Sequence, residues 1–250
     1  MCNLISSELF KIMRSKVTYT IGMIFVAMAV FQTVVVKIAV SMGNVMGSPT
    51  GIDGFVSPLN GDLSYIVIGI FVTIIMCQDF STGSIRQIIG KGTSRVKYVF
   101  AKFIAMVIVI SVLMAGYSVI CFFGCSLIGE VGELTSEVMK HLLVYVTGAC
   151  CMILGYTAIT EFVCILFKKN TITIPVNLLF IFVGGVISQL GFQLTDNELF
   201  YKYWIANMSA SFASFEIGFA DKLLYMEIFI VIASVFIWWS VFVFKRRDID

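Results

Sequence analysis

Apolar and polar residues alternate along this chain in long blocks. Six apolar blocks approach or exceed the length of about 20 residues that a helix needs to cross a bilayer. They cover residues 17–40, 62–77, 103–128, 141–167, 172–194 and 223–244. The pattern predicts an all-α polytopic membrane protein with six transmembrane helices, which form a single membrane domain over residues 1–250.

The polar segment 78–102 separates the second and third apolar blocks and is the most basic part of the chain. It contains one acid and five basic residues, Asp79, Arg86, Lys91, Arg95, Lys97 and Lys102. The segment is too polar to stay in hydrocarbon. We therefore expect it at the membrane surface, with its basic face toward water.

Periodicity predicts two helices in this polar segment. Ile85, Ile88 and Ile89 lie at helical spacing, so a short amphipathic helix is predicted over residues 79–89. Asp79 would stand at the N-terminal end of that helix, where a negative charge is favourable. A break and the cap of a second helix are then predicted from the residue types at Gly90, Gly92, Thr93 and Ser94.

Three other polar segments differ in character. Residues 1–16 combine apolar residues at helical spacing with basic ones, which predicts an interfacial helix on an anionic membrane surface; a frayed tail is the alternative. Residues 195–222 are rich in aromatic side chains, so short helices that dip into the outer leaflet are predicted there. Residues 41–61 are rich in Gly, Ser, Asn and Pro, which predicts a loop.

The distribution of charge predicts the orientation of the chain. Of its 17 Lys and Arg residues, 13 lie in the N-terminal segment, the polar segment, the turn at 168–171 and the C-terminus. Nine of the 15 acidic residues lie on the other side. Because cytoplasmic loops carry an excess of Lys and Arg, both termini are predicted to face the cytoplasm.

Composition supports a membrane location and argues against an enzyme. The chain is 59% hydrophobic and 13% charged, against about 45–50% and about 25% for soluble domains. The seven cysteines lie mostly in apolar blocks, so neither a disulfide framework nor a metal site is predicted. Because the chain has a single histidine, no catalytic site is predicted. Because it lacks a phosphate-binding loop, it is not expected to hydrolyse ATP alone.

Glu161 and Lys37 are charged residues within apolar blocks. Glu161 is the one acid well inside the apolar region, which by itself suggests a functional role. The favoured interpretation is that Glu161 reaches the cytoplasmic interface or pairs with Lys168. Lys37 is expected to extend to the interface, with a place on a substrate path as the alternative.

Several short motifs, in a fixed order, resemble those of a known family. They are Glu8-Leu9-Phe10-Lys11-Ile12 near the N-terminus, Asp79-Phe80 with Gly83-Ser84-Ile85-Arg86 after the second block, Gly92 with Ser94-Arg95, Lys102, and Phe244 with Arg246-Arg247-Asp248 at the end. Together with the span order, they resemble the type-two ABC transporter permeases, especially bacterial exporters of bacteriocins, lantibiotics, bacitracin-like drugs or amphipathic peptide toxins. Asp79 stands where the family usually has Glu, a change that keeps the charge.

The resemblance implies a transport mechanism. Such permeases work in the bacterial cytoplasmic membrane as pairs, of one chain or of two related chains, with two cytoplasmic ATPase subunits that bind ATP and Mg. This chain would bind no cofactor itself. The region 79–102 would contain the coupling helix that enters a groove of the ATPase, and the turn after the fourth span would add a second contact. Lipid-headgroup binding is the alternative role of the basic region. The implied coupling residues are Asp79, Phe80, Gly83, Ser84, Ile85, Arg86, Ile88, Ile89, Ser94, Arg95, Lys168 and Lys169.

The resemblance also places the substrate path along spans two and five. The candidates there are Thr73, Asn177, Phe180, Ser188, Gln189 and Gln193. Polar residues in spans also join helices to each other, and the sequence does not separate the two uses. Residues 195–222 would form an outer gate or a plain interfacial belt.

Three functions are compatible with the sequence. The first is the permease of an ATP-driven exporter of peptides or related drugs. The second is a membrane immunity or sensor protein that binds peptide without transport, and the third is an ion-coupled carrier. Membrane lipid and peptide cargo are expected partners, and nucleic acid is not.

Overall fold

A computed structural model describes residues 1–42, 49–60, 62–90 and 92–246. Within these residues the regular structure is helical, apart from one isolated bridge between Thr50 and Glu130. The α-helices are α1 (Cys2–Met13), α2 (Lys16–Ser41), α3 (Gly51–Val56), α4 (Asp62–Ser81), α5 (Ser84–Gly90), α6 (Arg95–Ser126), α7 (Ser136–Phe167), α8 (Asn170–Thr195), α9 (Glu198–Lys202), α10 (Ile205–Ala213) and α11 (Phe219–Arg246). Six of them, α2, α4, α6, α7, α8 and α11, are long and apolar enough to cross a membrane. The predicted six-span all-α fold is confirmed.

The transmembrane helices pack around α4, α6 and α7, while α2, α8 and α11 expose more of their surface. Glycines lie where two helices are in closest contact. A Cβ atom on Gly155 of α7 would lie 2.8 Å from a ring carbon of Phe229 on α11. Gly155 therefore lets α7 and α11 run side by side in close contact, since protein interiors leave no room for an added methyl group.

The predicted loop 41–61 contains a buried helix, so that prediction is wrong for α3. Thr50 and Asp53 form a capping box at its start, in which each side chain accepts a hydrogen bond from the other residue's backbone N–H. Ile52 and Val56 are buried, and Gly54 lies directly on α6. Residues 43–48 and 61 of this loop lie outside the described residues. The spacing Thr50-x-x-Asp53 was the sequence signal for this helix.

Residues 195–222 form two short helices, α9 and α10, as predicted. Ile205 at the start of α10 accepts a hydrogen bond from the Tyr65 hydroxyl of α4, at 3.3 Å. Phe212 in α10 is fully buried, and its ring lies against Gly148 of α7. These contacts close one end of the bundle, at the opposite end of the spans from α1 and α5. The depth of α9 and α10 in a membrane stays a prediction.

Candidate coupling site

Five elements meet at the other end of the bundle: α1, the last turn of α4, α5, the first turns of α6 and the last turn of α11. Aromatic contacts hold them together. The ring of Phe244 in α11 lies 6.2 Å from that of Phe80 in α4 and 6.1 Å from that of Tyr98 in α6. This end of the molecule brings together most of the residues that the sequence identified as coupling residues.

The predicted helix over 79–89 begins later than expected. Span α4 continues through Asp79 to Ser81, and α5 begins only at Ser84. The break falls at Gly83, whose φ of +67° suits glycine. Asp79 therefore lies in the last turn of a transmembrane helix, where the helix dipole disfavours a negative charge.

A network of buried charges compensates for the position of Asp79. One carboxylate oxygen of Asp79 accepts hydrogen bonds from Lys102 Nζ at 2.6 Å and from the Tyr98 hydroxyl at 2.8 Å. Its other oxygen accepts a hydrogen bond from Lys11 of α1. Lys102 also donates to Glu8 of α1, at 2.9 Å. Asp79 and Lys102 are each 1% exposed, so Lys102 is not part of the basic face that was predicted to turn toward water.

This network explains how α1 is held. The helix was predicted, and it forms, but Glu8 and Ile12 turn toward the protein. Met13, from the same predicted apolar stripe, stays exposed together with Arg14. A position of that outer face on anionic lipid stays a prediction.

The apolar face of α5 packs into the protein itself. Ile85 is 1% exposed, and Ile88 and Ile89 are half-buried against the same core. Ile85 therefore packs against the chain's own core, and a contact of Ile88 and Ile89 with a groove of the ATPase stays a prediction. The side chains that α5 presents outward are those of Arg86 and Gln87. Lys91, which follows α5, lies outside the described residues.

Ser94 and Arg95 connect α6 to its surroundings. Ser94 caps α6 as predicted, since its hydroxyl accepts a hydrogen bond from the backbone N–H of Lys97 at 3.3 Å. Arg95 donates to the carbonyl oxygens of Phe244 at 3.2 Å and Lys245 at 3.0 Å. The guanidinium thus binds the free carbonyls at the end of α11. Arg247 and Asp248 of the C-terminal motif lie outside the described residues.

The turn after α7 lies at this end as well. Lys168 ends α7 in the left-handed conformation, with φ of 57°, and exposed Lys169 directly precedes α8. Cys77 near the end of α4 has its sulfur 3.9 Å from the Thr173 hydroxyl in the first turn of α8. The turn therefore lies beside the end of α4. Its contact with an ATPase stays a prediction.

The substrate-path candidates divide into two groups. Asn177 donates to the Thr73 hydroxyl at 3.0 Å, and Ser188 donates to the Phe200 carbonyl at 2.9 Å. The side chains of Thr73, Asn177 and Ser188 are all buried, and their hydrogen bonds join α8 to α4 and to α9. The others, Phe180, Gln189 and Gln193, are exposed on α8. The small residue Gly184 lies against the ring of Trp204 rather than against another span.

Two charged residues in the spans have different surroundings. Lys37 is exposed at the far end of α2, which suits the predicted extension to the interface. Glu161 is 0% exposed, and neither of its oxygens has a hydrogen-bond partner among the described residues. The expectation that Glu161 reaches the interface is therefore wrong.

Within the described residues, no group of three or more potential metal-binding side chains occurs.

Sequence reasoning missed the roles of Glu8, Lys11 and Tyr98 in the charge network. Glu8 and Lys11 are one helical turn apart, as are Tyr98 and Lys102, so each pair shares a helix face. That spacing marks two polar faces, but it does not show that they meet across more than 80 residues of chain.

A family model described as ABC-2 family transporter protein matches residues 4–184, which is well over half of the chain. No curated protein matches the chain. The match covers α1 through most of α8, and so it includes the buried charge network and α5.

Proposed function

This chain belongs to the ABC-2 family, and from that premise we propose that it is the permease of an ATP-driven exporter that moves amphipathic or antimicrobial peptides, or related drugs, out of the cell. Membership makes the chain a multi-pass membrane subunit of an ABC transporter. It is not itself a catalytic subunit, and the family implies partnership with ABC ATPase subunits. The cargo, the direction and the identity of the partners belong to the proposal.

The construction of α5 is the observation that carries the proposal. It is a short surface helix between the second and third spans, and its apolar face is fixed to the core through Ile85. Asp79 before it and Arg95 after it are bonded to other helices. A helix held in this way transmits a push to α4, α6 and α11 instead of yielding to it. These features suit an element that passes movement from an ATPase to the spans.

Two of the exposed cations at this end are the proposed contacts with the ATPase. Arg86 projects from α5, and Lys169 projects from the turn before α8. Guanidinium groups form strong paired hydrogen bonds with carboxylates. We expect acidic residues on the ATPase opposite Arg86, with a weaker second contact at Lys169. The ATPase would bind ATP and Mg. Both termini of this chain would lie on the cytoplasmic side of the membrane, where the ATPase binds.

The exposed faces of α2 and α8 suit a second permease subunit and a path between the two. Large apolar side chains on α8, including Leu179 and Phe182, are exposed. Phe180, Gln189 and Gln193 add an aromatic ring and two amides to that helix. A surface of this mixed character fits an amphipathic peptide, which has an apolar and a polar side. The second subunit would be a copy of this chain or a related permease.

Charge reversal at the tip of α5 tests the proposal. We expect Arg86→Glu to lower the recovery of the ATPase with the tagged permease at least fivefold, or about 1 kcal/mol of binding, because a charge-assisted contact becomes repulsive. The amount of permease in the membrane should not change, because Arg86 is exposed. ATP-dependent protection of cells against nisin and bacitracin, used as probes, should fall in parallel.

Two variants serve as controls for Arg86→Glu. Arg86→Lys keeps the positive charge and should retain most of the ATPase. Lys16→Glu reverses an exposed charge at the start of α2 and should behave like the unmodified protein. Full recovery of the ATPase with Arg86→Glu would remove α5 from the coupling site. Absence of any ATPase from the unmodified preparation would favour the sensor or ion-coupled alternatives.

A further inference from the structure

Glu161 is a buried acidic side chain without a hydrogen-bond partner in the described part of the molecule. It is completely buried in α7, and both of its carboxylate oxygens lack hydrogen-bond partners among the described residues. Burying a carboxylate without a partner is costly, and burying it ionised is more so. Such a group in a native structure calls for an explanation, and a second arrangement in which it finds a partner supplies one.

The buried charge network is the candidate source of a partner, and it reaches α6 through Lys102, which bonds to Glu8 and Asp79. The neighbouring Phe103 packs in one buried cluster with Ala158, which lies one turn before Glu161 on α7. Lys102 and Glu161 therefore belong to the same layer of the bundle, on facing helices.

Lys102 can bond to more than its two present acceptors. Its ammonium group has three N–H donors, of which one points to Glu8 and one to Asp79. The two acceptors come from different elements, since Glu8 is on α1 and Asp79 lies in the last turn of α4. Lys11 also bonds to Asp79 and can neutralise it alone. If Asp79 moves away from α6, Lys102 loses one acceptor and Asp79 keeps a cation.

We propose that Glu161 is the alternative acceptor for the Lys102 ammonium group. In the arrangement described here, Lys102 bonds to Asp79 and Glu8, and Glu161 has no partner. When the ATPase pushes α5, the end of α4 carries Asp79 away and Lys102 bonds to Glu161 instead. The inference rests on the proposed function, because α5 must receive that push. Lys102 and Glu161 are then positioning residues that give the bundle two defined states.

The variant Glu161→Gln tests this exchange in the complete transporter. Gln keeps the size of the side chain but removes the anion that Lys102 would meet in the second state. We expect ATP hydrolysis by the permease–ATPase complex in lipid nanodiscs to fall about tenfold, within the usual range of coupling between sites. The thermal unfolding midpoint of the permease should not fall, because Glu161 makes no hydrogen bond in the first state.

Thr157→Val is the matched control. Thr157 lies one turn before Glu161 on α7, and its buried hydroxyl also lacks a partner among the described residues. Hydrolysis by this variant should stay within about twofold of the unmodified complex, since the exchange does not use it.

A direct readout is the amide that dicyclohexylcarbodiimide forms between a lysine and a nearby carboxyl group. Mass spectrometry should find Lys102 joined to Glu8 or Asp79 without nucleotide, and to Glu161 after trapping with ATP and vanadate. Unchanged hydrolysis by Glu161→Gln would overturn the exchange, as would a lower unfolding midpoint or a trapped complex without the Lys102–Glu161 link. If the unmodified permease recovers no ATPase, the proposed function itself fails, which is a different result.

Discussion

Replacing Lys102 by methionine is expected to destabilise the permease by about 3–5 kcal/mol, the typical cost of removing one partner from a buried ion pair. Lys102 is 1% exposed and bonds to both Glu8 and Asp79. Asp79 keeps Lys11 and the Tyr98 hydroxyl, whereas Glu8 is left buried without a cation. We therefore expect a lower thermal unfolding midpoint in detergent and faster proteolysis of α1 than of the remaining chain.

Lys97→Met is the control for this prediction. Lys97 lies on the same helix, but its side chain is exposed. Its replacement should change stability by less than about 0.5 kcal/mol, as is usual for a surface position. Combining Lys102→Met with Glu8→Gln should recover part of the loss, because the stranded carboxylate becomes neutral. Equal unfolding midpoints for Lys102→Met and Lys97→Met would show that the network adds nothing to stability.

Replacing Gly54 by alanine is expected to lower stability by about 2–3 kcal/mol, in the upper part of the usual cost of overfilling a packed interior. The added Cβ would lie 2.6 Å from the backbone oxygen of Cys121 and 2.8 Å from Cβ and Sγ of Cys125. A backbone oxygen inside α6 has no room to yield. We expect α3 to separate from α6, which faster labelling of Cys121 and Cys125 by a thiol reagent would show.

Gly116→Ala is the matched control, because its added Cβ would have no atom within 4 Å apart from its chain neighbours and the nearby backbone of its own helix. Gly116 lies inside α6, where alanine is favoured over glycine by up to about 1 kcal/mol in soluble helices. The control should unfold at the same or a higher temperature. If Gly54→Ala unfolds no earlier than Gly116→Ala, the contact between α3 and α6 is looser than the distances indicate.

The spans and the ends of several helices follow from the sequence alone. Crossing a bilayer requires about 20 apolar residues in a row, so the six spans are visible without tertiary information. The stop at Gly90 and the cap at Ser94 also agree with the structure, because each depends only on neighbouring backbone groups. The same local chemistry at Thr50 and Asp53 encodes α3, although composition favoured a loop.

Which neighbour the polar or apolar face of each helix contacts depended on tertiary structure. A row of isoleucines at helical spacing marks a face, but it does not show whether Ile85 meets a partner or the chain's own core. In the same way, local rules place Asp79 at the start of a surface helix. It lies instead in the last turn of a span, where Lys102 and Lys11 form ion pairs with it.

Sequence thus determined the class of protein, its six spans and several of its short helices, since these depend on hydrophobicity and on contacts within a few residues. The tertiary structure decided that Glu8, Asp79 and Lys102 form one buried network and that Glu161 lies beside it without a partner. Charges 23 to 94 residues apart along the chain become neighbours when helix packing brings their faces together. The free energy of a buried charge depends on those neighbours and not on its own segment.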